Sequence, residues 1–210
     1  MKVLVLADDN QKEELIACPT DPNVQLQWLS GPVAPGQFQG MDACIDLLFE
    51  NTKERVEWLK QLSIPVIVIN SVIASLKEVQ GDFVRINGWN TFLRRSIVEA
   101  ACNNESIKSK AEQLFSYLGR KTEWVPDVIG FITPRVIASV INEAFIALEE
   151  NVTTENEINT AMKLGTNYPF GPFEWGEKIG FHNIYSLLKA LNTEQTRYKP
   201  STLLQRRVLV

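Results

Sequence analysis

The stretch from Pro126 to Gly180 constrains the fold more tightly than any other part of the chain. Thr133-Pro134 is a helix start signal, with Thr133 as N-cap and Pro134 at the first helical position. Val136, Ile137, Val140, Ile141, Ala144, Phe145 and Leu148 then recur at helical spacing, a stripe wide enough to bury against more than one partner. Thr154-x-x-Glu157 is a capping-box pattern that opens a second helix ending near Gly165. The aromatic corner YPFGPFEWG follows, then a short helix over Phe173–Ile179 stopped by Gly180, and another over Ile184–Leu191. Residues 126–210 therefore read as an all-helical domain.

Residues 1–125 follow a different rhythm. Short apolar runs at Lys2–Leu6, Val24–Leu29, Ala43–Phe49, Pro65–Ile69, Phe83–Ile86 and Thr122–Val125 read as strands. Helical patterns at Glu13–Ala17, Thr52–Leu62 and Ser106–Leu118 lie between them, which predicts βαβ units and a mostly parallel sheet. Such sheets bind ligands at the carboxyl ends of their strands. Asp8, Asp9, Asn70, Ser71 and Asn87 fall there.

Composition narrows the partners. A net charge of -4 supplies no basic surplus for phosphates, which argues against nucleic acid. The only long apolar segments are amphipathic, so no membrane partner is expected, and the N-terminal apolar run is too short for a signal peptide. A cytoplasmic location follows as the expectation. Cys18, Cys44 and Cys102 stand far apart without metal-ligand spacing, and read as reduced thiols with no metal site.

GFITPRVIASVINEA, EINTAMKLGTNYPFGPFEW and the tail RYKPSTLLQRR, taken in order, resemble the 3-hydroxyacyl-CoA dehydrogenase family. Gly130-Phe131, Arg135, Glu143-Ala144, Ala161-Met162, Gly165, Pro169 and Gly171-Pro172-Phe173-Glu174 match its pattern in order and spacing. The resemblance implies an α/β Rossmann-like N-terminal domain followed by an all-α C-terminal domain that joins two copies into a homodimer. It also implies NAD as cofactor and a 3-hydroxyacyl-CoA as substrate.

The first domain departs from that pattern. Ala7, Asp9 and Lys12 stand where the resemblance places the three glycines of the pyrophosphate turn, and strand two ends Trp28-Leu29-Ser30 without an acidic residue for a ribose. Asn87 takes the position of the family's proton-shuttling histidine, whereas Asn90 and Glu99 match the family's Asn and Glu. An amide does not titrate near neutral pH, so Asn87 cannot carry that proton. The family's substrate-binding serine falls at Ala74, with Ser71 or Ser75 one shift away, and Pro134 replaces its asparagine. Glu99 has a plainer reading as a strand-edge residue paired with Arg94 or Arg95, and Trp89 as core packing. The chain's one histidine, His182, reads as an exposed turn residue. VLVLADDN also has the paired acids of a phosphate-receiver domain, but no strand-three aspartate or strand-five lysine accompanies them.

Three functions are consistent with these residues. The first is a dehydrogenase-like protein with no cofactor, which keeps the fold and an acyl-CoA-like cleft without hydride transfer. The second is an active NAD-dependent dehydrogenase with an atypical site, and the third a non-catalytic dimeric scaffold.

Overall fold

The computed structural model describes residues 1–209, which divide into two compact units, Met1–Phe131 and the residues from Ile132 onward. The first unit is a seven-stranded sheet: β1 (Lys2–Leu6), β2 (Gln25–Leu29), β3 (Ala43–Asp46), β4 (Ile67–Asn70), β5 (Val84–Ile86), β6 (Ile97–Ala101) and β7 (Lys121–Trp124). Their spatial order is β2-β1-β3-β4-β5-β6-β7, with β1 to β5 mutually parallel, β6 antiparallel to β5 and β7 parallel to β6. The mostly parallel sheet expected from the alternating pattern is therefore present.

The sheet is covered on both faces, which explains the unbroken apolar runs Val3–Leu6, Ala43–Ile45 and Ile67–Ile69 in its central strands. Val3, Val5, Ile45 and Val68 pack with Leu15 of α1 (Asp9–Leu15) and with Ala111, Leu114 and Phe115 of α4 (Glu105–Tyr117). Leu4, Leu6, Cys44 and Ile69 pack on the other side with Val56 and Leu59 of α2 (Lys53–Gln61) and Leu76 of α3 (Leu76–Val79). Burial of these side chains contributes about 1.5–3 kcal/mol each.

The second unit is helical: α5 (Thr133–Glu149), α6 (Glu155–Thr166), α7 (Pro172–Ile179), α8 (Phe181–Asn192) and α9 (Thr202–Leu209). Its core sets Phe145 edge-on to Phe173 and Phe181, with ring centroids 4.9 and 5.4 Å apart. Thr154 and Glu157 form the expected capping box at the start of α6. Thr133 does not cap α5. It is the first helical residue, and Ile132 occupies the cap position without a side-chain hydrogen bond. Pro134 then lies one residue further in, still within the first turn, where its missing N–H costs nothing. Of the apolar stripe, Ile137, Ile141, Ala144 and Phe145 are buried, whereas Val136 is exposed.

The contact division falls after Phe131, six residues beyond the break read at Pro126. The reason is a clasp formed by Arg85 on β5. Its guanidinium donates to the Asp127 carboxylate and to the Ser71 and Val128 carbonyls, while Asp127 also accepts from Leu76 N. Gly130 N donates to Val72 O at 2.7 Å. The segment after β7 is thus bonded back to the first unit.

Candidate active site at the carboxyl edge of the sheet

The turn from β1 into α1 is closed by its own side chains. Asp8 caps α1, its carboxylate accepting from Gln11 N at 2.8 Å while Asp8 N donates to Gln11 Oε1 at 3.0 Å. Gln11 Nε2 continues across to Leu47 O, just beyond β3, at 3.1 Å. Ala7 is fully buried, Asp9 is exposed, and Lys12 pairs with Asp9 at 3.0 Å. A dinucleotide pyrophosphate needs free N–H donors and close backbone approach at such a turn. Here a carboxylate holds the donor and adds negative charge, and the residues present do not fit that group.

Amides link the neighbouring strand ends. Asn70 Nδ2 donates to the same Leu47 carbonyl at 3.2 Å, and Asn70 Oδ1 accepts from Gly88 N at 3.0 Å. Gly88 is required there, because a Cβ would lie 2.8 Å from Asn70 Cγ. The antiparallel register of β5 and β6 sets Asn87 opposite Glu99. Asn87 N donates to Glu99 O at 3.1 Å, and Asn87 Nδ2 donates to Glu99 Oε2 at 3.2 Å. The two residues read from the sequence are brought together, and the Arg95 guanidinium also feels the Glu99 charge. An acceptor-only carboxylate fixes the amide with its NH2 toward Glu99. Trp89 is buried as expected, and Asn90 is half-buried in the loop that follows.

That loop is held from below by two charged residues that carried no signal in the sequence. The buried Glu14 carboxylate accepts from Thr91 N at 2.7 and 2.8 Å, with Arg94 Nε 3.8 Å away. Thr91 is left at φ 78°, a conformation costly for a β-branched residue. Arg120, also buried, donates to the carbonyls of Glu14, Leu15, Leu93 and Leu118. Burial pushes its guanidinium below the ordinary arginine value. Only the Asp8-x-x-Gln11 spacing could have been noticed in advance, as a variant of the capping box.

The serine candidates are engaged locally. Ser71 Oγ donates to Ala74 O at 2.9 Å, and Ser75 Oγ donates to Glu78 Oε2 at 2.8 Å. His182 lies in the first turn of α8, not in a loop, and is exposed; its Nε2 is 3.4 Å from Ser186 Oγ. Cys18, Cys44 and Cys102 are free thiols. Among the described residues no cluster of His, Cys, Asp and Glu could hold a metal, and no helix is long and apolar enough to cross a membrane.

Residues 130–209 match the family model described as "3-hydroxyacyl-CoA dehydrogenase, C-terminal domain". Residues 130–209 thus carry the C-terminal domain of the 3-hydroxyacyl-CoA dehydrogenase family. It is 38% identical over 117 residues to the 3-hydroxyadipyl-CoA dehydrogenase of Escherichia coli, a match covering 55% of this chain and 25% of that protein. It is 37% identical over 142 residues to the 3-hydroxybutyryl-CoA dehydrogenase of Clostridioides difficile, covering 65% of this chain and 50% of that one. The chain therefore spans a quarter to a half of the length of these relatives. A crystal structure of (S)-3-hydroxybutyryl-CoA dehydrogenase from Ralstonia eutropha superposes with a TM-score of 0.78 at 21% identity, covering 99% of this chain and 93% of that one. That likeness concerns the fold, and the Rossmann-like sheet followed by helices is the architecture of these dehydrogenases.

Proposed function

We propose that this chain is a member of the 3-hydroxyacyl-CoA dehydrogenase family that binds an acyl-CoA-like ligand without NAD-dependent hydride transfer. The observation that carries the reading is the closed β1–α1 turn. Asp8 holds Gln11 N–H at 2.8 Å and Gln11 bridges to Leu47 O, so a donor is occupied and the Asp8 and Asp9 carboxylates stand where a pyrophosphate would approach. The Asn87–Glu99 pair supports it, because an amide beside a carboxylate can orient a polar ligand group but cannot accept a proton near neutral pH. The family's C-terminal domain supports the acyl-CoA class.

A second element of the proposal is a homodimer formed through the helical unit. Ile132 and Val136 on or beside α5 and Leu164 on α6 are exposed by 57%, 51% and 83%, apolar side chains that the second copy would cover.

Four separate thermal-shift titrations, with NAD, NADH, acetoacetyl-CoA and free CoA, test the first element. The expected result is a shift with the two CoA compounds, none with the nicotinamide pair, and no NADH oxidation. A shift with NADH together with turnover of acetoacetyl-CoA would establish the active dehydrogenase instead. No shift with any of the four would leave the scaffold reading.

A further inference from the structure

A crevice of about 520 Å³ opens beyond the carboxyl ends of β2 and β3. These strands flank β1 on opposite sides, so the chain reverses its direction of travel across the sheet there. Ligands of open parallel sheets settle at such switch points. Ser30 follows β2, Leu48 and Glu50 follow β3, and Glu54, Arg55 and Trp58 come from α2 and complete the walls used here.

The chemistry of these walls is unusual for a site that takes phosphates. Among the described residues the one cation in the lining is Arg55, and its charge is already committed. Its Nε and Nη2 each donate to the buried Asp46 carboxylate at 2.7 Å, and the guanidinium lies 5.2 Å from the centroid of the Trp58 ring. Glu50 and Glu54 then dominate the mouth, with Asp8 and Asp9 on the adjoining turn. Pro32, Leu48 and Trp58 supply apolar and aromatic wall, beside the hydroxyl residues Ser30 and Thr52. Trp58 has its indole N–H bonded to Val33 O at 2.7 Å, so its ring contributes surface without a spare donor. Carboxylates beside an aromatic wall favour a positively charged group attached to a planar body, and repel phosphate.

We propose that this crevice binds a small organic cation with a planar apolar body, such as a protonated arylalkylamine, and excludes phosphate-bearing nucleotides. The inference rests on the reading that the adjoining β1–α1 turn does not hold a pyrophosphate. Titration calorimetry on the full chain at neutral pH tests it with tryptamine and indole-3-propionate, which share a ring and differ in charge. Tryptamine should bind at least about tenfold more tightly. The double variant Glu50→Gln/Glu54→Gln should abolish that difference without lowering the melting temperature, because both side chains are exposed. Equal binding of the two probes, no binding of tryptamine, or a preference that survives the double variant overturns the assignment. NAD is titrated alongside. Binding of NAD in competition with tryptamine overturns both readings, whereas failure of tryptamine while NAD also fails to bind overturns the crevice assignment alone.

Discussion

Arg55 and Arg120 accommodate a buried guanidinium in different ways. Arg55 meets Asp46 in a bidentate pair, with side chains 9% and 0% exposed. Burial raises the Asp46 carboxyl while the Arg55 guanidinium pulls it back down. Asp46→Asn leaves the Arg55 charge without its carboxylate and should cost about 3–5 kcal/mol in a urea unfolding titration. Arg120 instead rests on backbone carbonyls, which are strong acceptors but cannot neutralise it. Asn87 tests the proposed function. Asn87→His would restore a titratable ring beside Glu99, yet no NADH oxidation with acetoacetyl-CoA is expected while Asp8 and Gln11 close the turn. Turnover by this single variant would show that the turn is no barrier.

At the scale of elements, side chains returning to the backbone explain where α6 and α7 begin. Glu174 returns to Gly171 N at 2.9 Å and pairs with Lys163. Its carboxyl lies below the ordinary value, chiefly through the Lys163 bond and then the Gly171 N–H. A carboxylate depressed in the folded state stabilises fully above its unfolded value, and that contribution is lost as pH falls through the folded one. Glu174→Gln should therefore melt lower than the parent at pH 7, and calorimetric melts should converge as pH falls below the depressed folded-state value. A gap that persists in acid would place the effect outside the carboxylate's charge. The strands β1 to β5 and the helices α2, α4 and α6 were legible in the sequence because apolar periodicity and capping residues mark them locally. The strand β6, the short α3 and the last helix α9 were not. Ile97–Ala101 has no bounding turn chemistry and pairs antiparallel, α3 is a single turn, and α9 lies in a tail read only through its resemblance. Site legibility followed the same division. Asn87 and Glu99 were found through the family resemblance, whereas Gln11, Glu14 and Arg120 act through folded contacts that neither resemblance nor spacing reveals.

At the scale of the whole molecule, exposed Ile132, Val136 and Leu164 carry the expected self-association. Sedimentation velocity should give a dimer for the native chain and a monomer for the Val136→Glu/Leu164→Glu variant, since a charge buried without a partner opposes association. A native monomer would remove the dimer from the reading. Within the first unit, one bonded residue also dictates a timetable. Arg120 reaches back 105 and 106 positions to the Leu15 and Glu14 carbonyls, and 27 to Leu93. During synthesis, β1, β2 and β3 have all emerged long before it, and domains condense as their segments appear. The end of α1 and the Trp89–Ser96 loop must wait for a residue near the unit's far end before their carbonyls are gathered. A nascent chain halted at Gly119 holds the segments of six strands and lacks the peg that fastens them.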